Sequence, residues 1–279
     1  MKVSVAVIAY NHERYIAQAL DSVLSQKTAF EFEVVIVEDC SRDGTRSIIQ
    51  QYCARFPDKI RAIFHATNMG ARKTVEEALL ACRGQYVAML DGDDYWTSAD
   101  KLQRQADLLD KHPDMMLCCH PTRYLFENGE TEVSHPADGL TFMRLLKANP
   151  VQSQTIMFRR CLFSGYPQWM HENASFPGDY FLVISAGQHG ELGFIDEVMS
   201  VYRVHDAGAW GSLEFAQRLD IEIATNQALM KWLGRRYFPL LLLWNIDLRR
   251  QRLRERTVRR LLRMFPWLRS FRSVGGEEI

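Results

Sequence analysis

The sequence predicts an α/β fold: a doubly wound, mainly parallel sheet flanked by helices, with a helical appendage at its C-terminal end. Two observations carry the expectation. Four short apolar runs alternate with helix-period segments in the first ninety residues, the pattern of strands covered on both faces and joined by crossover helices. From about residue 214 onward the chain reads as mainly helical.

The elements follow in order. "VSVAVIA" (3–9) is β-branched and apolar throughout, as in a buried parallel strand. In "YNHERYIAQALDSVLSQ" the residues Ile16, Leu20, Val23 and Leu24 recur at helical spacing. "FEVVIV" (32–37) is a second buried strand, and a helix follows "EDCSRDGT", with Asp43 or Ser41 as its cap. "IRAIFH" (60–65), a helix across about 71–82 and "YVAML" (86–90) complete the alternation. Beyond residue 97, "SADKLQRQADLLDKH" (98–112) is an amphipathic helix with Leu102, Ala106 and Leu109 on one side. "MMLCCH" (115–120) and "SQTIMFR" (153–159) are further strands, separated by a polar segment with a short helix at about 139–147. A helix follows "FPGD" (176–179), and strands at 193–195 and 198–204 lead into "VHDAGAWGS". With no internal repeat and no long low-complexity linker, the chain divides into one domain over 1–212 and a basic helical region over 213–279.

Composition narrows the class. At 279 residues and 47% hydrophobic content, the chain can bury a sizeable core. Its six cysteines (Cys40, Cys53, Cys82, Cys118, Cys119, Cys161) form no CxxC pair, and its first residues lack the layout of a secretory signal. Reduced, buried thiols in a cytoplasmic setting are expected. The formal charge is zero but uneven: ten arginines and one acid leave residues 249–272 at +9 and the remaining chain at −9.

Ligands of such sheets bind beyond the carboxyl ends of the strands. Three polar clusters fall there: "YN" (10–11), "EDCS" (38–41) and "DGDD" (91–94). Three carboxylates within four positions at the end of an apolar run repel one another and need a cation or a polar ligand. An Asp-x-Asp suits Mg²⁺ or Mn²⁺ whose other positions are filled by ligand phosphates. Taken alone it is equally a surface turn. An EF-hand loop is excluded by its misplaced Gly and Glu. A phosphatase with an aspartyl nucleophile also puts Asp-x-Asp after a strand, though usually the first, which here ends in "AYN". Neither GxGxxG nor GxxxxGK[ST] occurs, so a nucleotide is held without a Gly-rich phosphate loop.

Over residues 3–120 the ordered motifs resemble the family 2 glycosyltransferases. "VSVAVIAYNHERYIAQALDSVLSQ" looks like that family's opening strand and helix. "VVIVEDCSRDGT" looks like its V-D-D-x-S-x-D-G-T element, with Glu38 replacing the first Asp. "NMG" (68–70), Gly84 and "LDGDDYW" then fall at the usual spacing, Asn68 standing 23 residues before Asp91. The resemblance implies a GT-A fold with a nucleotide-sugar-binding half (1–97) and an acceptor-side half (98–212). It implies a nucleoside-diphosphate sugar donor of UDP, dTDP or GDP type. Tyr10, Asn11, Glu38 and Asp39 would line the donor, with Asp39 on the edge of its base. Asn68, Gly70 and Lys73 would border the nucleotide; where many relatives carry an Arg, this chain has Val75, which makes Lys73 the cationic candidate. Asp91, Gly92 and Asp93 would meet ribose and metal, with Asp93 as ligand, Asp91 on the ribose or assisting the metal, and Asp94 in support. "PGDYFL" (177–182) resembles the acceptor-side element that supplies the catalytic base, which assigns that role to Asp179. A helix N-cap is the other role open to Asp179. In "YRVHDAGAW" (202–210), His205 would complete the metal site or contact the diphosphate, or is merely structural. Trp96 and Trp210 are candidates to stack on an acceptor sugar or to pack in the core.

The tail supplies the partner expectations. Val258, Leu261, Leu262 and Phe265 fall at i, i+3, i+4 and i+7 among arginines, a basic amphipathic helix suited to an anionic membrane surface or to the catalytic domain itself. "FPLLLLW" (238–244) is too short to span a bilayer. Nucleic acid is disfavoured because no stacking motif accompanies the basic residues. The resemblance, taken with the tail, implies an inverting transferase, using Mn²⁺ or Mg²⁺, that extends a glycan or lipid-linked acceptor in surface polysaccharide or lipopolysaccharide assembly. It would be cytoplasmic or peripheral on the inner face of the membrane. The rival functions are a non-catalytic nucleotide-sugar-binding scaffold and a metal-dependent phosphohydrolase.

Overall fold

The structure, a computed structural model, describes residues 1–135, 140–172, 176–206, 208 and 213–264, with residues 258–264 described by backbone alone. Two compact units divide at Gly211/Ser212.

The first unit is built on β1 (Val3–Ala9), β2 (Phe32–Glu38), β3 (Ile60–Phe64) and β4 (Tyr86–Asp91), all mutually parallel. Every residue of β1 and β2 is buried, so the continuous apolar runs record cover on both faces. Between these strands lie α1 (Ile16–Leu24), α2 (Thr45–Arg55) and α3 (Ala71–Ala81), as the periodicity predicts. Helix α1 buries Ile16, Ala19, Leu20 and Val23. At the start of α2, Asp43 Oδ1 accepts from the Thr45 amide at 3.0 Å, one position ahead of the cap residue Gly44, while Ser41 is spent on Asn11. Gly84 is required where β4 enters beside β1: a Cβ there would lie 2.5 Å from the Ser4 nitrogen and 2.6 Å from the Val3 carbonyl carbon.

The sheet continues through β6 (Met115–Cys119), β9 (Met157–Arg159) and β10 (Glu191–Phe194). Its order is β10-β6-β9-β4-β1-β2-β3, with β9 antiparallel to both of its neighbours. It is therefore mainly parallel, as expected. A second sheet, β5-β11-β7-β8, is formed by β5 (Tyr95–Trp96), β7 (Thr122–Phe126), β8 (Thr131–Ser134) and β11 (Ser200–Val204). The hairpin of β7 and β8 falls in the segment expected to be polar and irregular; its strands are half-exposed, and Gly129 turns between them at φ 84°. The strand expected over 153–159 survives only as β9, because Ser153–Thr155 forms a 3-10 turn that buries the Gln154 side chain.

Helix α4 (Lys101–Lys111) packs Leu102, Ala106 and Leu109 inward as predicted. It also buries Lys101 completely, with Nζ 2.7 Å from Gln105 Oε1 and 4.1 Å above the Trp96 ring. Trp96 is itself 4% exposed and donates from Nε1 to the Gln154 carbonyl, so it belongs to the core and is withdrawn from the acceptor site. Trp210 lies outside the described residues. The short helices α5 (Phe142–Leu145) and α6 (Gln168–Glu172) precede α7 (Gly178–His189), whose residues Tyr180–Ala186 are all buried.

The second unit contains α8 (Phe215–Leu233) and α9 (Phe238–Met264). Glu214 and Gln217 form a capping box at the start of α8. Arg252 of α9 makes a two-pronged pair with Asp220 of α8 at 2.7 Å on each prong. The side chains of Val258, Leu261, Leu262 and Phe265, on which the amphipathic tail was read, lie outside the described residues.

Candidate active site

Strand register levels the three polar clusters. Ala9 pairs with Glu38 and Ile8 with Asp91, so Tyr10, Asp39 and Gly92 emerge side by side at the carboxyl edge of the sheet. The loops after β1 and β2 are stitched together. Asn11, held at φ 56°, accepts on Oδ1 from the Arg42 amide at 2.9 Å, and its own amide donates to Ser41 Oγ at 3.0 Å. Tyr10 beside it is 37% exposed.

Glu38 was expected to line the donor. It is instead fully buried, accepting from the Ser41 amide and from Arg46 Nε at 2.5 Å each, and it braces the loop rather than facing a ligand. Asp39 faces the other way. Its Oδ1 accepts from the Met69 amide and sits 2.7 Å from His65 Nδ1, while its Oδ2 accepts from the Gly70 amide at 2.9 Å. Burial raises this carboxyl, but the bonds from His65, Met69, Gly70 and Thr74 outweigh it and hold Asp39 below the ordinary carboxylate range. Gly70 takes φ 84°, a backbone that only glycine adopts freely, and leads directly into α3. Asn68 and Lys73 are exposed on either side of it. Arg72 is committed elsewhere: its guanidinium donates to the Met170 carbonyl at 2.6 Å and to the Phe176 carbonyl.

The three acids after β4 separate by environment. Asp94 is 1% exposed, accepts on Oδ1 from the Arg203 amide at 2.8 Å, and leaves Oδ2 buried without a partner; burial pushes it well above the ordinary range. Arg203 lies between the rings of Tyr15 and Tyr95, at 4.9 and 4.5 Å, and donates to the Asp93 carbonyl. Asp91 accepts from the Ser153 hydroxyl at 2.5 Å and is pushed up to about 7 by burial, then by the Asp93 charge. Asp93 stays low: burial raises it, but the His205 bond and the His12 ring more than compensate. His205 Nε2 stands 3.2 Å and His12 Nε2 3.5 Å from the same Asp93 Oδ2. The turn permits this approach because residue 92 is glycine: a Cβ there would lie 2.8 Å from His12 Nδ1 and 3.0 Å from the Ile8 carbonyl oxygen.

Asp179 lies in the first turn of α7, one residue past the helix start, so it is not the N-cap. Its Oδ2 accepts from Asn149 Nδ2 at 3.0 Å and its Oδ1 from the Tyr180 amide at 2.8 Å, while burial raises its carboxyl. Its charge acts on Asp91, which places the two acids in one electrostatic neighbourhood.

The family model of Glycosyl transferase family 2 matches residues 4–173, more than half of the chain and all of the sheet edge just described through β9. The chain belongs to glycosyl transferase family 2. An uncharacterized protein of Mycobacterium tuberculosis is 37% identical to this family 2 chain over 214 residues, which is 75% of this chain and 60% of that one. TarS of Staphylococcus aureus, a poly(ribitol-phosphate) beta-N-acetylglucosaminyltransferase, is 37% identical over 115 residues, 40% of this chain and 19% of its own. The crystal structure of TarS 1-349 in complex with UDP-GlcNAc matches with a TM-score of 0.60 at 24% identity, covering 85% of this chain and 73% of that one. The mannosyltransferase PcManGT from Pyrobaculum calidifontis, in complex with GDP-Man and Mn²⁺, matches at 0.61 and 18% identity, covering 92% and 75%. At these identities the structures establish the fold, which is GT-A. The chain spans about 60% of the length of its mycobacterial relative.

The family 2 crevice suits a divalent cation at Asp93 and His205. Their facing atoms, an imidazole nitrogen and a carboxylate oxygen, are 3.2 Å apart, and both are donor types that would hold a divalent cation. Among the described residues no three His, Cys, Asp or Glu side chains form a preassembled metal cluster. His12, His65, Glu77, Asn149 and Ser153 escaped the sequence analysis. The histidine directly after "YN" was the one legible hint, since a titratable ring at the end of a buried strand sits at the ligand edge.

Proposed function

We propose that the protein is an inverting, metal-dependent glycosyltransferase that moves a sugar from a nucleoside diphosphate to a hydroxyl of a glycan or lipid-linked acceptor. The observation that carries this is Asp179: a carboxylate at the crevice, raised by burial yet kept able to ionise by Asn149 and the Tyr180 amide, and near enough to Asp91 to act on it. Asp39 would accept a ring N–H of the base, a group that uracil, thymine and guanine have and cytosine lacks. Asn68, Gly70 and Lys73 border the nucleotide, and Asp91 meets the ribose or assists at the metal. Asp93 and His205 would hold Mn²⁺ or Mg²⁺, which when bound offsets the charge of the diphosphate.

Asp179 takes the proton of the acceptor hydroxyl as its oxygen bonds to the anomeric carbon. The bond from that carbon to the diphosphate oxygen breaks on the opposite face, and its electron pair leaves with the diphosphate. One displacement inverts the anomeric centre.

A peripheral position on the inner, anionic face of the membrane is supported by α9. Leu242, Ile246 and Leu253 are exposed at i, i+4 and i+11, one stripe of the helix, and Arg249, Arg250, Arg254 and Arg256 are exposed beside them. Among the described residues no helix is long and apolar enough to cross a membrane. Surface polysaccharide or lipopolysaccharide assembly is the matching pathway class, in keeping with TarS, whose name gives a polymer, poly(ribitol-phosphate), as what it glycosylates.

The deciding experiment is Asp179→Asn. Transfer should fall by about 10²–10⁴-fold while nucleotide affinity is kept; unchanged transfer defeats the assignment. Wild-type protein that binds nucleotide sugars but never transfers them is the scaffold, and phosphate release from simple esters without an acceptor is the phosphohydrolase. A thermal-shift series with UDP-, dTDP-, GDP- and CMP-sugars, with and without Mn²⁺, names the donor class.

A further inference from the structure

The end of β3 brings a histidine that no step above uses into contact with two acids. Glu38 pairs with Phe64 across β2 and β3, so His65 emerges level with Asp39. His65 Nδ1 is 2.7 Å from Asp39 Oδ1, and His65 Nε2 is 2.7 Å from Glu77 Oε2 on α3. The imidazole is 9% exposed and the Asp39 side chain 4%, whereas the Glu77 side chain is 47% exposed.

The protonation state follows from counting donors. A neutral imidazole has one N–H and one acceptor nitrogen, while an ionised carboxylate only accepts. Asp39 is already an acceptor for the Met69 and Gly70 amides, which favours its ionised form, and the half-exposed Glu77 carboxyl faces the other ring nitrogen. Both ring nitrogens must then donate, and the ring is an imidazolium.

We infer that His65 is a positioning residue: as an imidazolium bridging Asp39 and Glu77, it fixes the Asp39 carboxylate, and with it the Met69–Gly70 amides, for the nucleotide base. Asp39 takes bonds from the His65 ring and the Met69 and Gly70 amides, with Thr74 as a further donor, and this set of partners fixes the carboxylate. The charged groups around the ring are Asp39 on the β2 side, Glu77 on α3, and Arg46 on α2, which donates to the His65 carbonyl at 2.5 Å and is itself paired with Glu38. Two carboxylates on the ring outweigh its burial and raise its pKa, in keeping with the geometry. Glu77, a surface residue of α3, thereby sets the state of a pocket it does not line.

The base-binding part of this inference rests on the donor reading of Asp39, and the test separates the two. Long-range ¹H–¹⁵N NMR at about pH 7.5 should show wild-type His65 doubly protonated. In Glu77→Gln, His65 should lose a proton within the accessible range, and the Met69 and Gly70 amide shifts should titrate with it. UDP, dTDP and GDP affinities, measured by calorimetry, should be level from about pH 6.5 to 8 in the wild type. In Glu77→Gln the affinity of the accepted nucleotide should drop about tenfold at the upper pH and recover at the lower one, a pH-conditional loss that a purely structural defect does not give. A neutral wild-type His65, or parallel pH profiles for the two proteins, overturns the inference. If no nucleotide binds while His65 is doubly protonated and the two amides follow it, the donor reading fails and the positioning of Asp39 by His65 stands.

Discussion

Asp93 Oδ2 stands 3.2 Å from His205 Nε2, tying the turn after β4 to the residue that follows β11. The bond raises His205 and helps to keep Asp93 low. His205→Ala removes the proposed nitrogen ligand and leaves Asp93 with His12 alone. The Mn²⁺ concentration for half-maximal transfer should rise about tenfold, as expected when part of a metal site is lost, and Mn²⁺ binding in the presence of UDP, followed by EPR, should weaken in parallel. Identical Mn²⁺ curves for the two proteins would remove His205 from the site.

Two glycines rank against each other by what surrounds them. A methyl at position 92 meets mainly side chains, His12 and Ile16, besides the Ile8 carbonyl oxygen; one at position 84 meets the Ser4 nitrogen, the Val3 carbonyl carbon and the Tyr86 oxygen. Side chains yield and backbone in a sheet does not. Gly92→Ala should cost about 1–3 kcal/mol by overpacking and Gly84→Ala more, measured by urea unfolding. The reverse order would contradict the packing described.

Lys101 gives a pH signature. Burial lowers its amine from 10.5 to about 7, against the weaker influence of Cys118 and Cys119. Between those values the unfolded chain holds a proton that the folded one lacks, so this residue makes stability rise with pH by about 1.4 kcal/mol per unit. Lys101→Met should remove that rise between about pH 7.5 and 9.5, whatever its offset in absolute stability. Unfolding midpoints with equal slopes in both proteins would place the amine in its ordinary range.

The exposed stripe of α9 makes a vesicle test direct. Flotation with anionic phosphatidylglycerol vesicles should recover the wild type and fall several-fold for Ile246→Asp and for Arg250→Glu with Arg254→Glu. Phosphatidylcholine vesicles should recover little, and added salt should release the protein by screening. Recovery that ignores both charge and substitution would rule out docking by this face.

The legible parts of the fold are those written in continuous apolar runs. Strands β1, β2 and β4 stood out because both faces are covered, and α4 because Leu102, Ala106 and Leu109 mark one side. The hairpin of β7 and β8 did not, because "TRYLF" and "TEVS" are half-exposed and carry no sustained alternation. Asp39, Asp93 and Asp179 were visible as acids at element ends. His205 was visible as a candidate beside Asp93, but two other partners were not: His65 lies 26 residues from Asp39 and Asn149 30 from Asp179, and only register and packing convert such separations into bonds. Glu38 shows the converse, a residue in a motif whose side chain turned inward because Arg46 and the Ser41 amide satisfy it there.

Arg72 also marks where this chain can be cut and recombined. Its guanidinium leaves α3 to hold the carbonyls of Met170 and Phe176, on either side of the point where the family match ends at residue 173. A chimera joined at that point would keep the arginine and exchange one of its two carbonyl acceptors along with Asp179 and α7. Hybrids that replace the segment after residue 173 should therefore carry residues 168–189 as one block, or bring their own partner for Arg72.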